Sequence, residues 1–316
     1  MKTILLALVA SLTLCDTSLA TDPAKPHATL EQLRAKYVDR KGHIAVIKGV
    51  EVYYKDEGRG PAILMVHGSQ STLKTWDAIA PVLAKRYRVI RFDIPPQGLS
   101  GRVSKAAAAQ LQPTDIPEGL LALLGVSRVS YVGVSSGGTL GIYLAAKRPD
   151  LVARLILSNT PADPVKTDHM QQSADFIAAQ REARESGFQS QKFWDLFLDF
   201  FSGDPSRIDS AIREQYYDFN RRGPEENYLA LVAQVANHDK AVAAMRQVTA
   251  PTLLIWGGKD ALLVPASADI LAGYLTRTQV SKVFMPDVGH YPPLESPRRF
   301  AQLVLAYLEA ATPIGQ

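Results

Sequence analysis

The sequence predicts an α/β protein in which a largely parallel sheet is covered by helices on both faces. Short, continuous runs of Val, Ile and Leu recur along the chain, which is typical of strands buried on both faces. Amphipathic stretches of helical period separate these runs, and this alternation favours helices on both sides of one sheet. The 316 residues are 47% hydrophobic, so the chain is long and apolar enough to bury a substantial core.

The first two strands differ from those that follow. Residues 43–49 and 50–58 alternate between apolar and polar side chains on either side of Lys48-Gly49, which predicts an antiparallel hairpin. The later apolar runs predict parallel strands at 62–66, 88–94, 129–134, 154–159, 252–257 and 281–286. Between and after them, helices are predicted at Leu73–Arg86, Ile116–Leu124, Gly137–Lys147, Ala266–Tyr274 and Pro297–Ala311.

Residues 161–250 interrupt this alternation. Their pattern is helical in four stretches and rich in aromatic residues, most of which are expected to pack against one another and against the sheet. Strand-like runs resume at Thr252, so the interval is interpreted as a helical insertion over one end of the sheet. The predicted organisation is therefore a core in two parts, 21–160 and 251–316, with a helical cap at 161–250.

The first 20 residues are expected to be a signal peptide. They contain an early lysine, an apolar run from Ile4 to Leu14 that is too short to span a bilayer, and the small-x-small sequence Ser18-Leu19-Ala20. Cleavage near Ala20 would give a periplasmic or secreted protein without a membrane span, and would remove Cys15, the chain's one cysteine. A lipoprotein anchored at Cys15 is a minor alternative, because Leu14 stands where a small residue is expected.

Composition and pattern argue against several classes of function. The formal net charge is +4, and the basic residues are scattered along the chain, so no nucleic-acid partner is expected. The sequence has no histidine pair at helical ligand spacing, no calcium loop and no Walker-type phosphate loop. No metal or cofactor is therefore expected, and the sequence does not indicate an oligomeric state.

A candidate nucleophile stands in the segment Gly133-Val134-Ser135-Ser136-Gly137, which matches the pattern Gly-x-Ser-x-Gly. A predicted buried strand precedes it and a predicted helix follows it, and the glycines permit a sharp turn between the two. Such a turn lifts the Ser135 hydroxyl above the sheet. It also places the backbone N–H of Ser136 at a helix N-terminus, where a developing negative charge is stabilised.

A serine hydroxyl needs a general base, and His290 is the candidate. It lies between the last predicted strand and the last predicted helix, in a loop at the carboxyl edge of the sheet. Asp260, just after the strand that ends near Gly257, is the preferred carboxylate to orient this histidine, with Asp163 as the alternative. The chain order serine, aspartate, histidine is the one that α/β folds with this type of turn use.

The loop after the third predicted strand is the candidate for the other half of an oxyanion hole. Gly68 permits a sharp turn there, and the backbone N–H of Ser69 can point towards a substrate carbonyl bound at the nucleophile. His67, at the start of the loop, is interpreted as fixing the loop rather than acting as a base.

Taken together, these segments resemble the capped branch of the α/β-hydrolase-fold family. The likeness runs from about Val46 to Ala311 and is carried by DEGRGPAILMVHGSQSTLKTW, RFDIPPQGLSG, YVGVSSGGTLG, PTLLIWGGKD and DVGHYPPLESP. It implies an eight-stranded, mostly parallel sheet with a helical cap after strand six, and no cofactor. The triad it implies is Ser135, His290 and Asp260, with an oxyanion hole at the amides of Ser69 and Ser136.

Within that family, Ser135 favours hydrolysis of small to medium carboxylic esters through an acyl-enzyme. Haloalkane dehalogenases and epoxide hydrolases of the family carry aspartate at this position. Carbon–carbon bond hydrolases of aromatic ring-cleavage pathways keep the serine, but usually have tryptophan after the catalytic histidine, where this chain has Tyr291. Hydrolysis of C–C bonds or lactones by the same triad remains an alternative. A ligand-binding protein without turnover is disfavoured, because all three triad positions are filled.

Overall fold

Eight strands form a single sheet in the computed structural model, which describes residues 27–222 and 234–310. The predicted signal peptide and residues 223–233 of the predicted cap lie outside the described residues. The strands are β1 (Gly42–Ile47), β2 (Val50–Gly58), β3 (Ala62–Val66), β4 (Arg88–Phe92), β5 (Val129–Val134), β6 (Val152–Ser158), β7 (Thr252–Gly257) and β8 (Val280–Met285).

The order of the strands across the sheet is β1-β2-β4-β3-β5-β6-β7-β8. Strand β2 pairs antiparallel with β1 and with β4, whereas all the remaining neighbours are parallel. This arrangement confirms the predicted hairpin and the mostly parallel sheet. It also brings the loops that follow β3, β5, β7 and β8 to one edge, because the carboxyl ends of parallel strands point the same way.

Of the five helices predicted outside the cap, the last four are present among the described residues, with shifts of at most one residue at their ends. They are α1 (Leu30–Tyr37), α2 (Ala80–Leu83), α3 (Lys105–Gln110), α4 (Asp115–Leu123), α5 (Ser136–Lys147), α6 (Ala174–Ser186), α7 (Gln191–Phe201), α8 (Ser210–Asn220), α9 (His238–Met245), α10 (Ala266–Tyr274), α11 (Pro292–Glu295) and α12 (Pro297–Ala310). Short 3-10 turns lie at Leu73–Trp76 and Pro205–Arg207.

Both faces of the sheet are buried, as the apolar strands predict. Along β3, Leu64 and Val66 belong to one hydrophobic cluster, whereas Ile63 and Met65 belong to another. The first cluster includes side chains of α4, α5, α9 and α10, and the second includes side chains of α2 and α12. Period-two geometry sends alternate residues to opposite faces, so helices cover both sides of the sheet.

The continuous helix predicted at Leu73–Arg86 is wrong. The chain instead makes a 3-10 turn over Leu73–Trp76 and then the single turn of α2, in which Pro81 occupies one of the first two positions. Proline lacks an N–H and its ring clashes with the carbonyl four residues earlier, so a helix running through Pro81 would be broken. Starting a new helix at Ala80 removes the conflict.

The insertion after β6 is helical, as predicted, and contains α6, α7, α8 and α9, of which α9 belongs to the hydrophobic cluster of the core. Its aromatic side chains pack mainly against one another and against the loop after β8. The buried members of this cluster are Phe176, Ala179, Phe193, Trp194, Phe197, Leu198, Phe201, Ile208, Tyr216, Tyr291 and Leu294. The expectation that most cap aromatics pack against one another is therefore confirmed for the described residues, but their cluster contains residues after β7 and β8 rather than residues of the strands themselves.

Helix α1 was not predicted, and it connects the cap to the core. Thr29 and Gln32 form a capping box at its N-terminus. At its other end, the Tyr37 hydroxyl donates a hydrogen bond to Asp218 of α8 over 2.7 Å, and Lys36 forms an ion pair with the same carboxylate. The sequence signal was the Thr-x-x-Gln spacing, which alone does not indicate what the helix contacts.

Candidate active site

Ser135 stands at the turn between β5 and α5 in a strained backbone conformation. Its φ of 53° and ψ of −125° lie where non-glycine residues are rare. Two close approaches explain the flanking glycines. A Cβ on Gly133 would lie 2.6 Å from the Gly137 carbonyl oxygen. A Cβ on Gly137 would lie 2.2 Å from the His67 carbonyl oxygen. A side chain at either position would therefore push the turn apart, so the Gly-x-Ser-x-Gly pattern is required by packing here.

His290 and Asp260 form a buried pair at the same edge of the sheet. The Nδ1 of His290 lies 2.8 Å from Oδ2 of Asp260, and their side chains are 3% and 0% exposed. The same Oδ2 accepts a hydrogen bond of 2.6 Å from the Asn159 side-chain amide. Oδ1 accepts from the backbone N–H groups of Leu262 and Leu263 over 2.8 and 2.9 Å. These donors fix the carboxylate, which in turn fixes the imidazole.

Asp163, the alternative partner for His290, lies in a different cluster. Its Oδ1 is 3.0 Å from Nε2 of His238 and accepts a hydrogen bond of 2.9 Å from the Tyr274 hydroxyl. The structure therefore pairs His290 with Asp260 and pairs Asp163 with another histidine.

The candidate oxyanion loop lies against the nucleophile turn. The Ser69 hydroxyl donates to the Ser136 hydroxyl over 3.0 Å, so the two residues whose amides are the candidate oxyanion donors are neighbours. A Cβ on Gly68 would lie 3.0 Å from the Ser135 Cβ, which is a tight contact even for a methyl group. Glycine at this position lets the loop approach Ser135.

His67 fixes this loop, in agreement with its interpretation from the sequence. Its Nε2 accepts a hydrogen bond of 2.9 Å from the Ile94 N–H, so the proton of the neutral ring is on Nδ1, which donates to the Gly68 carbonyl over 2.7 Å. Complete burial lowers the pKa of His67 to about 4. The neutral ring thus joins the loops after β3 and β4.

Glu295 is a buried carboxylate that the sequence reasoning missed. Its Oε1 accepts a hydrogen bond of 2.7 Å from the N–H of Gly289, beside His290. Its Oε2 accepts from the N–H groups of Gly203 and Asp204, just after cap helix α7, over 2.9 and 3.2 Å. Burial raises the pKa of this carboxyl above its usual value. Glu295 therefore links the end of α7 to the loop between β8 and α11 that carries His290, called the histidine loop below.

The backbone of His290 makes a second link to the cap. Its N–H donates to the Phe201 carbonyl over 2.7 Å, and the rings of Phe201 and His290 are 5.9 Å apart. On the other side, the Tyr291 ring lies 5.0 Å from the imidazole in an edge-on contact and packs against Tyr216 of α8. The cap and the histidine loop consequently form one packed unit.

The described residues contain neither a metal-binding cluster nor a membrane-spanning helix. Within 27–222 and 234–310, no group of three or more His, Cys, Asp or Glu residues could hold a metal ion. Over the same ranges, no helix is both long and apolar enough to cross a membrane.

Comparison with known proteins gives a family match and a set of related enzymes. A family model described as alpha/beta hydrolase fold matches residues 61–297. The chain is 28% identical to the 2-hydroxymuconate semialdehyde hydrolase of Pseudomonas sp. strain CF600 over 281 residues, which is 85% of this chain and 94% of that protein. It is 26% identical to the pimeloyl-[acyl-carrier protein] methyl ester esterase of Nitrosomonas europaea, over 79% of this chain and 96% of that one.

A solved structure shows the same fold. The meta-cleavage product hydrolase CumD of Pseudomonas fluorescens IP01 superposes with a TM-score of 0.68 at 22% identity, over 86% of this chain and 98% of that chain.

Proposed function

Because the chain belongs to the α/β hydrolase fold family, we propose that it is a serine hydrolase that cleaves carboxylic esters through an acyl-enzyme. The observation that carries this proposal is the buried His290–Asp260 pair, which lies at the same edge of the sheet as the strained Ser135 turn. The substrate class is small to medium esters, and no cofactor takes part in the proposed reaction.

In the first half-reaction, the Nε2 of His290 takes the Ser135 proton while Oγ bonds to the ester carbonyl carbon. The carbonyl π electrons move to the oxygen, which the N–H groups of Ser69 and Ser136 stabilise. When the tetrahedral intermediate collapses, the C–O bond to the alcohol breaks, and the imidazolium gives its proton to the departing oxygen. Asp260 keeps the ring in the tautomer with the proton on Nδ1 and stabilises its charged form.

In the second half-reaction, water replaces the alcohol. His290 takes a proton from the water, whose oxygen bonds to the acyl carbon, and the same two amides stabilise the oxyanion. Breaking the bond to Ser135 returns the proton to Oγ and releases the carboxylic acid.

Hydrolysis of a C–C bond or a lactone is the alternative function, and the relative that acts on 2-hydroxymuconate semialdehyde favours it. The same serine attack on a ketone carbonyl would expel a stabilised carbanion in place of an alkoxide. Tyr291, which contacts the His290 ring, stands where such enzymes usually have tryptophan. Rates measured side by side on an ester, a lactone and a vinylogous diketone decide between the two.

The test of the ester proposal uses the two adjacent serines. Ser135→Ala should lower kcat for short p-nitrophenyl esters by about a thousandfold or more, because the nucleophile is absent. Ser136→Ala should keep most of the activity, because its backbone N–H remains. A fluorophosphonate should label the wild type and the Ser136→Ala variant but not Ser135→Ala. Equal rates for wild type and Ser135→Ala, or loss of activity in Ser136→Ala alone, would contradict the assignment.

We also propose that the protein is exported after cleavage near Ala20. The supporting observation is the sequence of the first 20 residues. Expression of the full chain in a bacterium, followed by fractionation and N-terminal sequencing, should recover a periplasmic or secreted form that begins near Thr21. An uncleaved chain confined to the cytoplasm would contradict this proposal.

A further inference from the structure

A cavity of about 90 Å³ opens beside the candidate oxyanion hole. Ser69 and Ser136 form one side of it. The other side is formed by the loops between β4 and α4, by α4 and α5, and by Gln234 and Val235, which precede α9. Its main apolar wall consists of Phe92, Ile94, Leu111, Ile116, Leu140 and Val235. The described residues that line this cavity include glutamines but no charged side chain.

The position of the cavity decides which part of an ester it can take. A carbonyl oxygen held by the amides of Ser69 and Ser136 leaves two substituents on the carbonyl carbon, the acyl group and the alcohol oxygen. The alcohol oxygen must receive a proton from His290, so the alcohol extends towards that residue. Ser135, His290 and Asp260 are not among the described residues that line the cavity, whereas Ser69 and Ser136 are, so the cavity begins on the oxyanion-donor side of the nucleophile. The remaining substituent, the acyl group, therefore points into it.

The size and polarity of the cavity limit that acyl group. A water molecule needs roughly 10–15 Å³ of cavity volume. The 90 Å³ cavity therefore holds on the order of six to nine non-hydrogen atoms, each about as large as a water molecule. The apolar wall favours hydrocarbon, and a carboxylate or ammonium group would be desolvated there without a partner of opposite charge.

We propose that this cavity is the acyl site and that the substrates are esters of short, uncharged acyl groups. Straight chains from butanoyl to about hexanoyl and a single aromatic ring fit this volume, whereas decanoyl and longer chains exceed it. The inference rests on the proposed esterase function and adds its substrate class. It excludes long-chain lipids and esters with an acidic acyl group as substrates.

The test varies one side of the ester at a time. With p-nitrophenol as the constant leaving group, kcat/KM should rise about fourfold per added methylene up to about hexanoate, as expected for burial of hydrocarbon. It should then fall at least about tenfold by decanoate. A second series keeps the butanoyl group and varies the alcohol.

Two variants change the volume of the cavity in opposite directions. Ile116→Ala removes three side-chain carbons from the wall and should raise the ratio of decanoate to butanoate kcat/KM by at least about tenfold, against a ceiling of about sixtyfold for three methylenes at about fourfold each. Leu140→Phe reduces it and should move the preference towards acetate. Neither should change the order of preference among the alcohols. Ile270→Ala on α10 is the matched control, since Ile270 is exposed and is not among the cavity's lining residues.

Each failure has a distinct signature. An active wild-type enzyme whose kcat/KM keeps rising to decanoate, or an Ile116→Ala variant that changes alcohol preference in place of acyl preference, would overturn the acyl site alone. Absence of turnover with every ester, together with absence of Ser135 labelling, would overturn the proposed function and the acyl site with it. Because Ile116→Ala removes atoms and Leu140→Phe adds them, loss of folding in one variant still leaves the other to decide.

Discussion

His67 and His290 are both buried histidines near the carboxyl edge of the sheet, but different groups hold their rings. Both nitrogens of His67 bond to the backbone, one to the Ile94 N–H and the other to the Gly68 carbonyl. His290 bonds through Nδ1 to a carboxylate that three further donors fix. The first arrangement requires a neutral ring in one tautomer, whereas the second is the arrangement that the proposed mechanism needs to present Nε2 as the general base.

The comparison shows that burial alone does not mark a catalytic histidine. A ring that is bonded to the backbone on both sides cannot accept a proton without losing a hydrogen bond, so it contributes to the structure. A ring paired with a buried carboxylate can gain and lose a proton in place. The partners of the ring, rather than its exposure, therefore separate the two roles.

Replacing each histidine by alanine gives the largest expected difference. His290→Ala should lower kcat by about 10⁴-fold, because the general base is lost. His67→Ala should lower kcat by at most about a hundredfold, through movement of the Ser69 loop, but should lower the free energy of unfolding by about 3 kcal/mol. Urea unfolding and steady-state kinetics on the same preparations measure both. A folded His67→Ala protein as inactive as His290→Ala would break the distinction.

Replacing Asp260, the carboxylate bonded to His290, should have the next largest effect on kcat. Asp260→Asn places an amide where the ring's Nδ1–H needs an acceptor and favours the wrong tautomer, so kcat should fall about a thousandfold. Asp163→Asn is the matched control. Its carboxylate is bonded to His238 and Tyr274, so kcat should change less than about twofold. A large loss in Asp163→Asn with little in Asp260→Asn would reverse the assignment.

Of the two buried carboxylates near His290, the sequence predicts Asp260, its partner, but not Glu295, which holds the neighbouring backbone. Asp260 follows a buried strand in a Gly-Gly-Lys-Asp exit, and parallel strands bring such exits to one edge, so its meeting with His290 follows from strand order. Glu295 bonds to backbone N–H groups of Gly203, Asp204 and Gly289. Backbone donors carry no side-chain signature, and two of these lie about 90 residues away. Only the folded chain shows the link.

For the fold as a whole, too, the sequence predicts local features but not contacts between distant parts of the chain. The strands, their approximate bounds and the helical cap could be predicted, because they depend on local hydrophobic periodicity and on the recurrence of apolar runs. The break at Pro81 could have been predicted from proline chemistry, but the helical period on either side concealed it. The contact of α1 with α8 depends on Asp218 meeting Lys36 and Tyr37 from a distant part of the chain, which no local pattern encodes.

Removing the Glu295 carboxylate, which links the cap to the loop that carries His290, should have an intermediate effect on kcat. Glu295→Gln keeps the size of the side chain but replaces one accepting oxygen by an NH₂ group that faces a backbone donor. We expect kcat to fall about thirtyfold as the His290 loop loosens, with a loss of about 2 kcal/mol in unfolding free energy. Glu309→Gln on α12, where the glutamate is partly exposed, is the control and should behave as wild type. Unchanged kcat in a destabilised Glu295→Gln protein would limit Glu295 to a structural role.

The smallest expected effect is the pH dependence of stability that His67 imposes. Its pKa is about 4 in the folded protein, against an ordinary value of 6.5, so below pH 6.5 the unfolded chain binds a proton that the folded chain does not. Stability is therefore complete above pH 6.5 and falls as the pH drops towards 4, by about 1.3 kcal/mol between pH 7.5 and 5.5.

Asp93 acts in the opposite direction, so the His67 contribution must be measured as a difference. Burial raises the pKa of Asp93 to about 6, and its protonation in the folded protein adds stability as the pH falls below that value. Because wild type and His67→Ala share Asp93, its contribution cancels when their unfolding free energies are compared at the two pH values. His67→Ala should lose about 1.3 kcal/mol less than wild type on acidification. Equal losses in both proteins would mean that His67 titrates normally in the fold, and the contrast with His290 would then rest on activity alone.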